Sequence, residues 1–392
     1  LLTGTDNVAI GRLAFSASTD GADNIAIGRS ALAVSGNDGD TNIAIGLSAL
    51  GTGDVAGAGN IGIGASALAA VTSGTNNIGV GLTSGDALTT GTDNVAIGRL
   101  AFSASTDGAD NIAIGRSALA VSGNDGDTNI AIGLAALGTG DVAGAGNIGI
   151  GASALTALTS GTNNIGVGLT SADALTTGTD NVAIGRLAFS ASTDGADNIA
   201  IGRSALAVSG NDGDTNIAIG LAALGTGDVA GAGNIGIGAS ALTALTSGTN
   251  NIGVGLTSGD ALTTGTDNVA IGRLALSASP DGADNIAIGR SALAATDGVA
   301  DCNIAIGLSA LGGADVSGLA NIAVGALSAD ALTTGICNVA IGVNALGAST
   351  TGCLNIAIGE LAMGAAATTG INNVAIGTSA LDALTSGTIN VA

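Results

Sequence analysis

The sequence predicts an all-β protein built as a parallel β-solenoid, and three observations support that prediction. A five-residue phrase, Asn-[Ile/Val]-[Ala/Gly]-[Ile/Val]-Gly, starts every 17 or 18 residues from Asn7 to Asn373, with a truncated copy at Asn390. Within the phrase, β-branched residues alternate with a small residue, which is the period of a strand. The 69 glycines and one proline show no Gly-X-Y period, which excludes collagen. Self-similarity at a short fixed period is typical of a solenoid.

The short repeats are grouped into blocks of 87 residues, which we expect to form one continuous solenoid over residues 1–392. The blocks are 7–93, 94–180, 181–267 and 268–354, followed by a partial block at 355–392. Blocks 94–180 and 181–267 differ at one position, where Ala172 corresponds to Gly259. Such near-identity indicates duplication of a unit that contacts mainly its neighbours. Because the chain opens and closes within a repeat, we expect it to be part of a longer protein.

Each coil is predicted to contain two short strands joined by a tight glycine turn and closed by a longer polar turn. In the coil that starts at Asn24, these strands are residues 25–27 and 29–34. About 22 coils stacked at about 4.8 Å would extend roughly 100 Å. We expect the Ile/Val pair to fill the coil, together with a large residue eight positions after the Asn, such as Phe15 or Leu32. The free energy gained by burying three such side chains cannot offset the conformational entropy lost when 17 residues become ordered, so the coils must stack cooperatively.

One coil in each block lacks the large residue at that eighth position, and its leucine comes three residues later. These leucines are Leu88, Leu175, Leu262 and Leu332. The pattern predicts a bulge or a shifted second strand. We interpret these coils as packing variants, with a joint or lateral docking point on a fibre as the alternative.

The Asn and Gly of the phrase are interpreted as structural residues. Stacked Asn amides would satisfy backbone groups of the turns. The ladder that begins Gly11, Gly28, Gly46 indicates a turn that disfavours a Cβ. Metal or glycan binding is the alternative for the asparagines.

The small residue between the two aliphatic residues predicts a surface for self-association. It is Ala9, Ala26, Ala44, Gly62 and Gly79 in the first five coils. A smooth Ala/Gly stripe suggests that another surface packs against it, and identical chains usually associate with closed symmetry. We therefore predict a homo-oligomer through this stripe. The alternative is a lone solenoid whose stripe is bare.

The charge balance argues against nucleic acid and anionic membranes as partners. The chain has 30 acidic residues, eight arginines, no lysine or histidine, and a net charge of −22. Its apolar runs fall short of the roughly 18 residues that span a bilayer. Because His, Lys and Tyr are absent, most general bases and metal ligands are missing. We predict no enzyme activity, and no catalytic, cofactor-binding or metal residues.

The acidic turns are interpreted as solvated loops. The turn at residues 37–40, Asn-Asp-Gly-Asp, recurs at 124–127 and 211–214. It resembles part of a calcium loop, which stays as the weaker alternative because no glutamate stands at the bidentate position. The eight arginines follow the Gly of the first two coils in each block. There they would form inter-coil or inter-chain ion pairs worth under about 1 kcal/mol each.

Three cysteines occur late in the chain. Cys337 and Cys353 lie just before the Asn of adjacent coils, where stacking would bring them together, so a disulfide is plausible. Cys302 would then have no partner cysteine within the chain and would be available for pairing between subunits.

The phrase Asn-Val-Ala-Ile-Gly followed by x-x-Ala-[Leu/Phe], at residues 7–15, 94–102 and 338–346, resembles the head repeats of YadA-like trimeric autotransporter adhesins. The resemblance covers essentially the whole chain. It implies a left-handed parallel β-roll, three chains around one axis, and a bacterial surface where such heads bind host matrix, other cells or each other. Related repeats occur in phage and secreted fibres. The coils here are a few residues longer than in that family, and the 87-residue super-repeat is unusually uniform.

The predicted function is a structural or adhesive extracellular fibre that self-associates as a homotrimer. A phage or secreted tail-fibre shaft acting as a rigid spacer is the alternative. An ion- or ice-binding surface is a minor alternative, because the threonines form no regular Thr-x-Thr row.

Overall fold

A computed structural model of the chain describes residues 3–34, 39–121, 126–208, 213–295 and 300–392. Within these residues the protein contains 22 strands of three residues each and no helix. The strands pair in parallel as a β-solenoid, which confirms the predicted fold class. The chain divides into two compact units, residues 1–197 and 198–392.

The first unit contains strands β1 to β11, and each pairs in parallel with the next. The register is unbroken, so that Val8, Ala9 and Ile10 lie beside Ile25, Ala26 and Ile27. Every strand therefore places like residues beside like residues. The strands are β1 (Val8–Ile10), β2 (Ile25–Ile27), β3 (Ile43–Ile45), β4 (Ile61–Ile63), β5 (Ile78–Val80), β6 (Val95–Ile97), β7 (Ile112–Ile114), β8 (Ile130–Ile132), β9 (Ile148–Ile150), β10 (Ile165–Val167) and β11 (Val182–Ile184).

The second unit repeats this arrangement with strands β12 to β22. Ile199, Ala200 and Ile201 lie beside Ile217, Ala218 and Ile219, and the same register holds for the later pairs. The strands are β12 (Ile199–Ile201), β13 (Ile217–Ile219), β14 (Ile235–Ile237), β15 (Ile252–Val254), β16 (Val269–Ile271), β17 (Ile286–Ile288), β18 (Ile304–Ile306), β19 (Ile322–Val324), β20 (Val339–Ile341), β21 (Ile356–Ile358) and β22 (Val374–Ile376).

A glycine ends each strand because the corner has no room for a side chain. Gly115 has a φ of +135° and Gly133 the same value, a region that L side chains rarely adopt. A Cβ added to Gly115 would collide with the carbonyl oxygen of Gly133 in the next coil. The predicted role of the glycine ladder is confirmed.

The segment after the corner is a left-handed turn, so the predicted second strand is wrong. Ser30 and Leu32 have φ values of +58° and +46°, whereas a parallel strand has φ near −120°. The segment still bonds to neighbouring coils, since the Leu32 N–H donates to the Ala49 carbonyl at 3.1 Å. A left-handed non-glycine residue costs roughly 1–2 kcal/mol, which these inter-coil bonds help to offset.

The interior of each coil is filled by the small strand residue and by the large residue of the turn. Ala44 and Leu50 are both 0 % exposed, whereas Ile43 and Ile45 are partly exposed on the other side of the strand. The prediction that the Ile/Val pair fills the coil is therefore wrong. At this position the strand residue lies close to the large residue of the neighbouring coil: a Cβ on Gly79 would lie 2.7 Å from Leu68 Cγ, so a side chain as large as Ile has no room there.

The coils with a late leucine keep the same backbone path, so the predicted bulge is also wrong. Gly85 has a φ of +57°, close to the +51° of Leu68 one coil earlier. Strand β5 stays in register with β4 and β6. Leu88 is 0 % exposed and fills the core from its later position. These coils are packing variants.

Candidate interaction surface

A buried ladder of asparagines determines which side of each strand faces the interior. Asn129 Nδ2 donates to the Gly144 carbonyl at 3.0 Å. Its Oδ1 accepts from the backbone N–H and from Nδ2 of Asn147, at 2.9 and 3.1 Å. Both asparagines are at most 1 % exposed. The structural role predicted for the Asn ladder is confirmed.

The opposite side of the strands forms a surface that we call the aliphatic face. It consists of the first and third residues of every strand, all Ile or Val, and none of them is fully buried. Ile97 and Ile184, for example, are both 39 % exposed. Parallel pairing aligns these side chains into two columns within each unit, which makes a continuous apolar surface of the kind that marks interaction sites.

The Ala/Gly stripe is not this surface. Ala26, Ala44, Gly62 and Gly79 are buried inside the coils, and Ala9, in the first strand, is exposed. The stripe therefore cannot be the surface through which chains associate, and that assignment is wrong. Side chains alternate along a strand, so the buried Asn puts the small residue inside and the aliphatic residues outside.

Opposite charges flank the aliphatic face in the first two coils of each block. In each of these coils, an aspartate lies two residues before the first strand residue, and an arginine lies two residues after the last strand residue. The aspartate and the arginine are therefore six residues apart. All sixteen side chains are exposed. We call Arg12, Arg29, Arg99, Arg116, Arg186, Arg203, Arg273 and Arg290 the basic rim. We call Asp6, Asp23, Asp93, Asp110, Asp180, Asp197, Asp267 and Asp284 the acidic rim.

The acidic turns have a backbone role where the structure describes them. The N–H groups of Ala22 and Ala109 each donate to a carboxylate of the next coil, Asp40 and Asp127 respectively, both at 2.8 Å. Within the described ranges, no three His, Cys, Asp or Glu residues come together to hold a metal ion. The remaining acidic-turn residues lie outside the described residues: Asn37, Asp38, Asn124, Asp125, Asn211, Asp212 and residues 297–299.

A second set of aspartates, not predicted from the sequence, lies beside the late leucines. Asp86, Asp173 and Asp260 each have a buried Oδ1 without a hydrogen-bond partner. Burial raises the pKa of these carboxyls and of Asp330 above the ordinary value, against the opposing effect of a backbone hydrogen bond. The recurring Asp-Ala-Leu sequence is the signal that could have revealed them.

The cysteines are free thiols. Cys302 and Cys337 are exposed and Cys353 is partly exposed. The disulfide considered between Cys337 and Cys353 is not formed in this structure. Cys302 and Cys337 both occupy the position directly before the buried Asn, which is the position of the acidic rim in other coils.

No pocket opens on the part of the chain that the structure describes. In the same residues, no helix is long and apolar enough to cross a membrane. Compared with protein-family models and with curated protein sequences, the chain gives no match.

Proposed function

We propose that this protein is a structural, adhesive fibre protein outside a bacterial cell, and that its copies self-associate through the aliphatic face. The observation that carries the proposal is the pair of exposed Ile/Val columns along each unit. Parallel sheets are ordinarily covered on both faces, whereas here one face is open. A second copy would cover it.

The energy available at this face is sufficient for association. Covering the exposed part of one isoleucine contributes on the order of 1 kcal/mol, at about 25 cal/mol per Å² of apolar surface. Each unit has eleven strands with two such side chains each. Even half of these contacts would match the roughly 4–15 kcal/mol that association costs in lost translational and rotational freedom.

An identical chain is the partner that fits the repetition best. The columns advance by one coil, about 4.8 Å, and a second copy presents the same spacing. Three chains around a common axis, as the resemblance implies, would cover the face of each copy with closed symmetry. The repetitive outer surface would then present many equivalent contacts to a matrix or to another cell, so weak contacts would add up through avidity.

Sedimentation of two matched variants tests the proposal. In one variant, five outward isoleucines of β13 to β15 become Thr, and in the other the same five become Val. The residues are Ile217, Ile219, Ile235, Ile237 and Ile252. Thr and Val are both β-branched and similar in shape, so the two variants differ mainly in the polarity of the face.

We expect the wild type and the Val variant to sediment as the same oligomer. The protein concentration at which half of the Thr variant is dissociated should be at least tenfold higher than that of the Val variant. Far-UV circular dichroism checks that both variants keep the wild-type fold. A wild type that sediments as a monomer at micromolar concentration, or a Thr variant as tightly associated as the Val variant, would contradict the proposal.

A further inference from the structure

We propose that the protein also contacts lipid, through a patch of four aliphatic side chains that binds zwitterionic, uncharged lipid surfaces. The proposal goes beyond self-association, and it rests on side chains that the proposed function does not use. They lie one or two residues before the Asn of four successive coils, on the border of the aliphatic face that carries the acidic rim in other coils. We call Leu319, Ile336, Leu354 and Ile371 the border patch.

The border patch is exposed and continuous. Leu354 is 50 % exposed, Leu319 43 %, and both isoleucines 42 %. The coils stay in register through it, since the Cys337 N–H donates to the Leu319 carbonyl and the Leu354 N–H to the Ile336 carbonyl, both at 3.0 Å. The four side chains therefore extend along the stack over three coil steps, roughly 14 Å.

The fold does not require aliphatic residues at these positions. Leu354 has a φ of +57°, and Asp267, at the same position of the coil one block earlier, has a φ of +58°. The backbone is thus the same with a charged side chain as with an apolar one. All four equivalents in the preceding block are small or polar: Ala232, Thr249, Asp267 and Ala283. Because folding does not explain the exposed apolar stripe, a binding partner is the better explanation.

The surroundings of the border patch are uncharged. In its four coils, no charged residue stands between the fourth residue before the Asn and the end of the strand. These segments are residues 317–324, 334–341, 351–358 and 369–376. The chain as a whole has a net charge of −22, which repels an anionic surface. A surface without net charge is not repelled, so the lipid that fits the patch is zwitterionic.

A folded protein fits the border patch less well than lipid does. Stable protein interfaces bury about 800 Å² on each partner, whereas four half-exposed side chains present at most a few hundred Å². The cores of such interfaces are rich in aromatic residues and Arg, and their anchors fill pockets. The border patch contains neither residue type, and no pocket opens on the described surface. A lipid surface has no fixed shape and needs only apolar side chains that enter it.

A row of hydroxyl groups next to the border patch suits a shallow contact. It lies two residues before the column of Leu319, Ile336 and Ile371, and its four side chains are exposed: Ser317, Thr334, Thr351 and Thr369. Aliphatic side chains at a membrane surface reach the boundary between headgroups and acyl chains. The hydroxyl groups would then lie at the level of the headgroups, where they can form hydrogen bonds.

Flotation of the full chain with lipid vesicles tests the proposal with two matched variants. The border variant introduces residues that other coils already hold at these positions: Leu319→Ala, Ile336→Thr, Leu354→Asn and Ile371→Ala. The control variant introduces the same four residues at exposed leucines on the opposite border of other coils: Leu169→Ala, Leu221→Ala, Leu256→Thr and Leu308→Asn. Neither variant changes the net charge, and far-UV circular dichroism checks that both keep the wild-type fold.

Vesicles of phosphatidylcholine are the probe. We expect the wild type and the control variant to float with these vesicles, and the border variant to need at least tenfold more lipid for half-maximal flotation, because it has lost the apolar side chains that enter the lipid. Replacing about a third of the lipid by anionic phosphatidylserine should reduce the flotation of the wild type several-fold at low salt. High salt should restore it, because salt screens the repulsion.

The native Cys337 locates the contact on the protein. It is exposed and lies directly after Ile336. With Cys302→Ser and Cys353→Ser, it is the single attachment point for a fluorophore whose emission depends on polarity. We expect the emission to shift to the blue when phosphatidylcholine vesicles are added. The same fluorophore attached through Leu308→Cys, in a chain whose three native cysteines are Ser, should not shift.

Three outcomes would overturn the inference: a wild type that does not float with phosphatidylcholine, a border variant that floats as well as the control variant, or equal spectral shifts at both labelled positions. Sedimentation without lipid separates this inference from the proposed self-association, because the border variant should form the same oligomer as the wild type. A border variant that loses its oligomer would assign the patch to contacts between copies and overturn the lipid contact. Monomers whose flotation depends on the border patch would support the lipid contact and contradict only the self-association.

Discussion

At the residue scale, the stability of each coil depends on one buried asparagine. Asn251 Nδ2 donates to the Gly265 carbonyl at 2.7 Å. Its Oδ1 accepts from the backbone N–H and from Nδ2 of Asn268, at 3.2 and 3.0 Å. One side chain thus satisfies polar groups of two later segments that no water reaches, and buried polar groups without partners are costly.

Replacing Asn251 by Ala should therefore destabilise the protein by about 2–4 kcal/mol, since an unsatisfied buried group costs roughly 1–3 kcal/mol. The neighbouring Asn250 gives a matched control, because it is exposed and donates to Asp267 at 3.1 Å. Its φ of +58° suits glycine, and Gly233 holds the equivalent position one coil earlier. Asn250→Gly should change stability by under about 0.5 kcal/mol.

Urea unfolding followed by far-UV circular dichroism measures both variants. A similar loss of stability in Asn250→Gly and Asn251→Ala would mean that the ladder is not what holds adjacent coils together.

At the element scale, the position of every strand could be predicted from the sequence, but not the side of the strand that faces the core. The 17- and 18-residue spacing places the phrase correctly in all 22 strands. Hydrophobicity alone favours Ile over Ala as a core residue and therefore predicts the wrong side. The better signal was the invariant Asn. Once its amide is placed inside, alternation puts the small residue inside and the two aliphatic residues outside.

The left-handed turn after the corner could not be predicted. Leu119 and Phe102 have φ values of +47° and +50°, and large side chains adopt that region only rarely. The conformation is stabilised by bonds between coils, as where the Phe102 N–H donates to the Ala118 carbonyl at 2.8 Å. A single repeat considered alone contains no indication of these bonds.

The coils with late leucines make stability depend on pH. Asp86, Asp173 and Asp260 have folded-state pKa values raised above 3.8 by burial. A raised pKa means that the folded state binds the proton more tightly than the unfolded state. The stabilisation that the folded state gains from binding these protons is therefore fully present below about pH 3.8, and it is lost as the pH rises through the folded-state pKa. At pH 7, the ionised carboxylates destabilise the fold.

Changing these three aspartates to Asn should raise the melting temperature at pH 7, and the gain should shrink as the pH falls toward 4. The matched control is Asp54→Asn, Asp141→Asn and Asp228→Asn, because these aspartates are exposed and the change in net charge is the same. Thermal melts at several pH values measure the difference. If the control variant shows the same pH-dependent gain, the effect comes from net charge and not from burial.

At the scale of the whole molecule, two opposing terms determine whether copies associate. A net charge of −22 makes like copies repel each other, and this repulsion is screened beyond about 8 Å at physiological salt. The aliphatic face opposes it with a contribution that grows with each coil. Because every block adds the same apolar columns, longer chains should associate more tightly.

The orientation of the strand and the use of the aliphatic face can be tested together by methyl NMR. Ala and Ile methyl groups are labelled with ¹³C, and a soluble paramagnetic agent reports which methyl signals the solvent reaches. Spectra are compared at concentrations below and above the association midpoint found by sedimentation.

We expect the Ala methyls at the centre of the strands to stay protected at every concentration, because they are buried within the coil. The outward Ile methyls should be bleached in the dilute monomer and become protected as copies associate. Ile methyls protected at every concentration, together with bleached Ala methyls, would show that the strands face the other way and that the aliphatic face is not the interface.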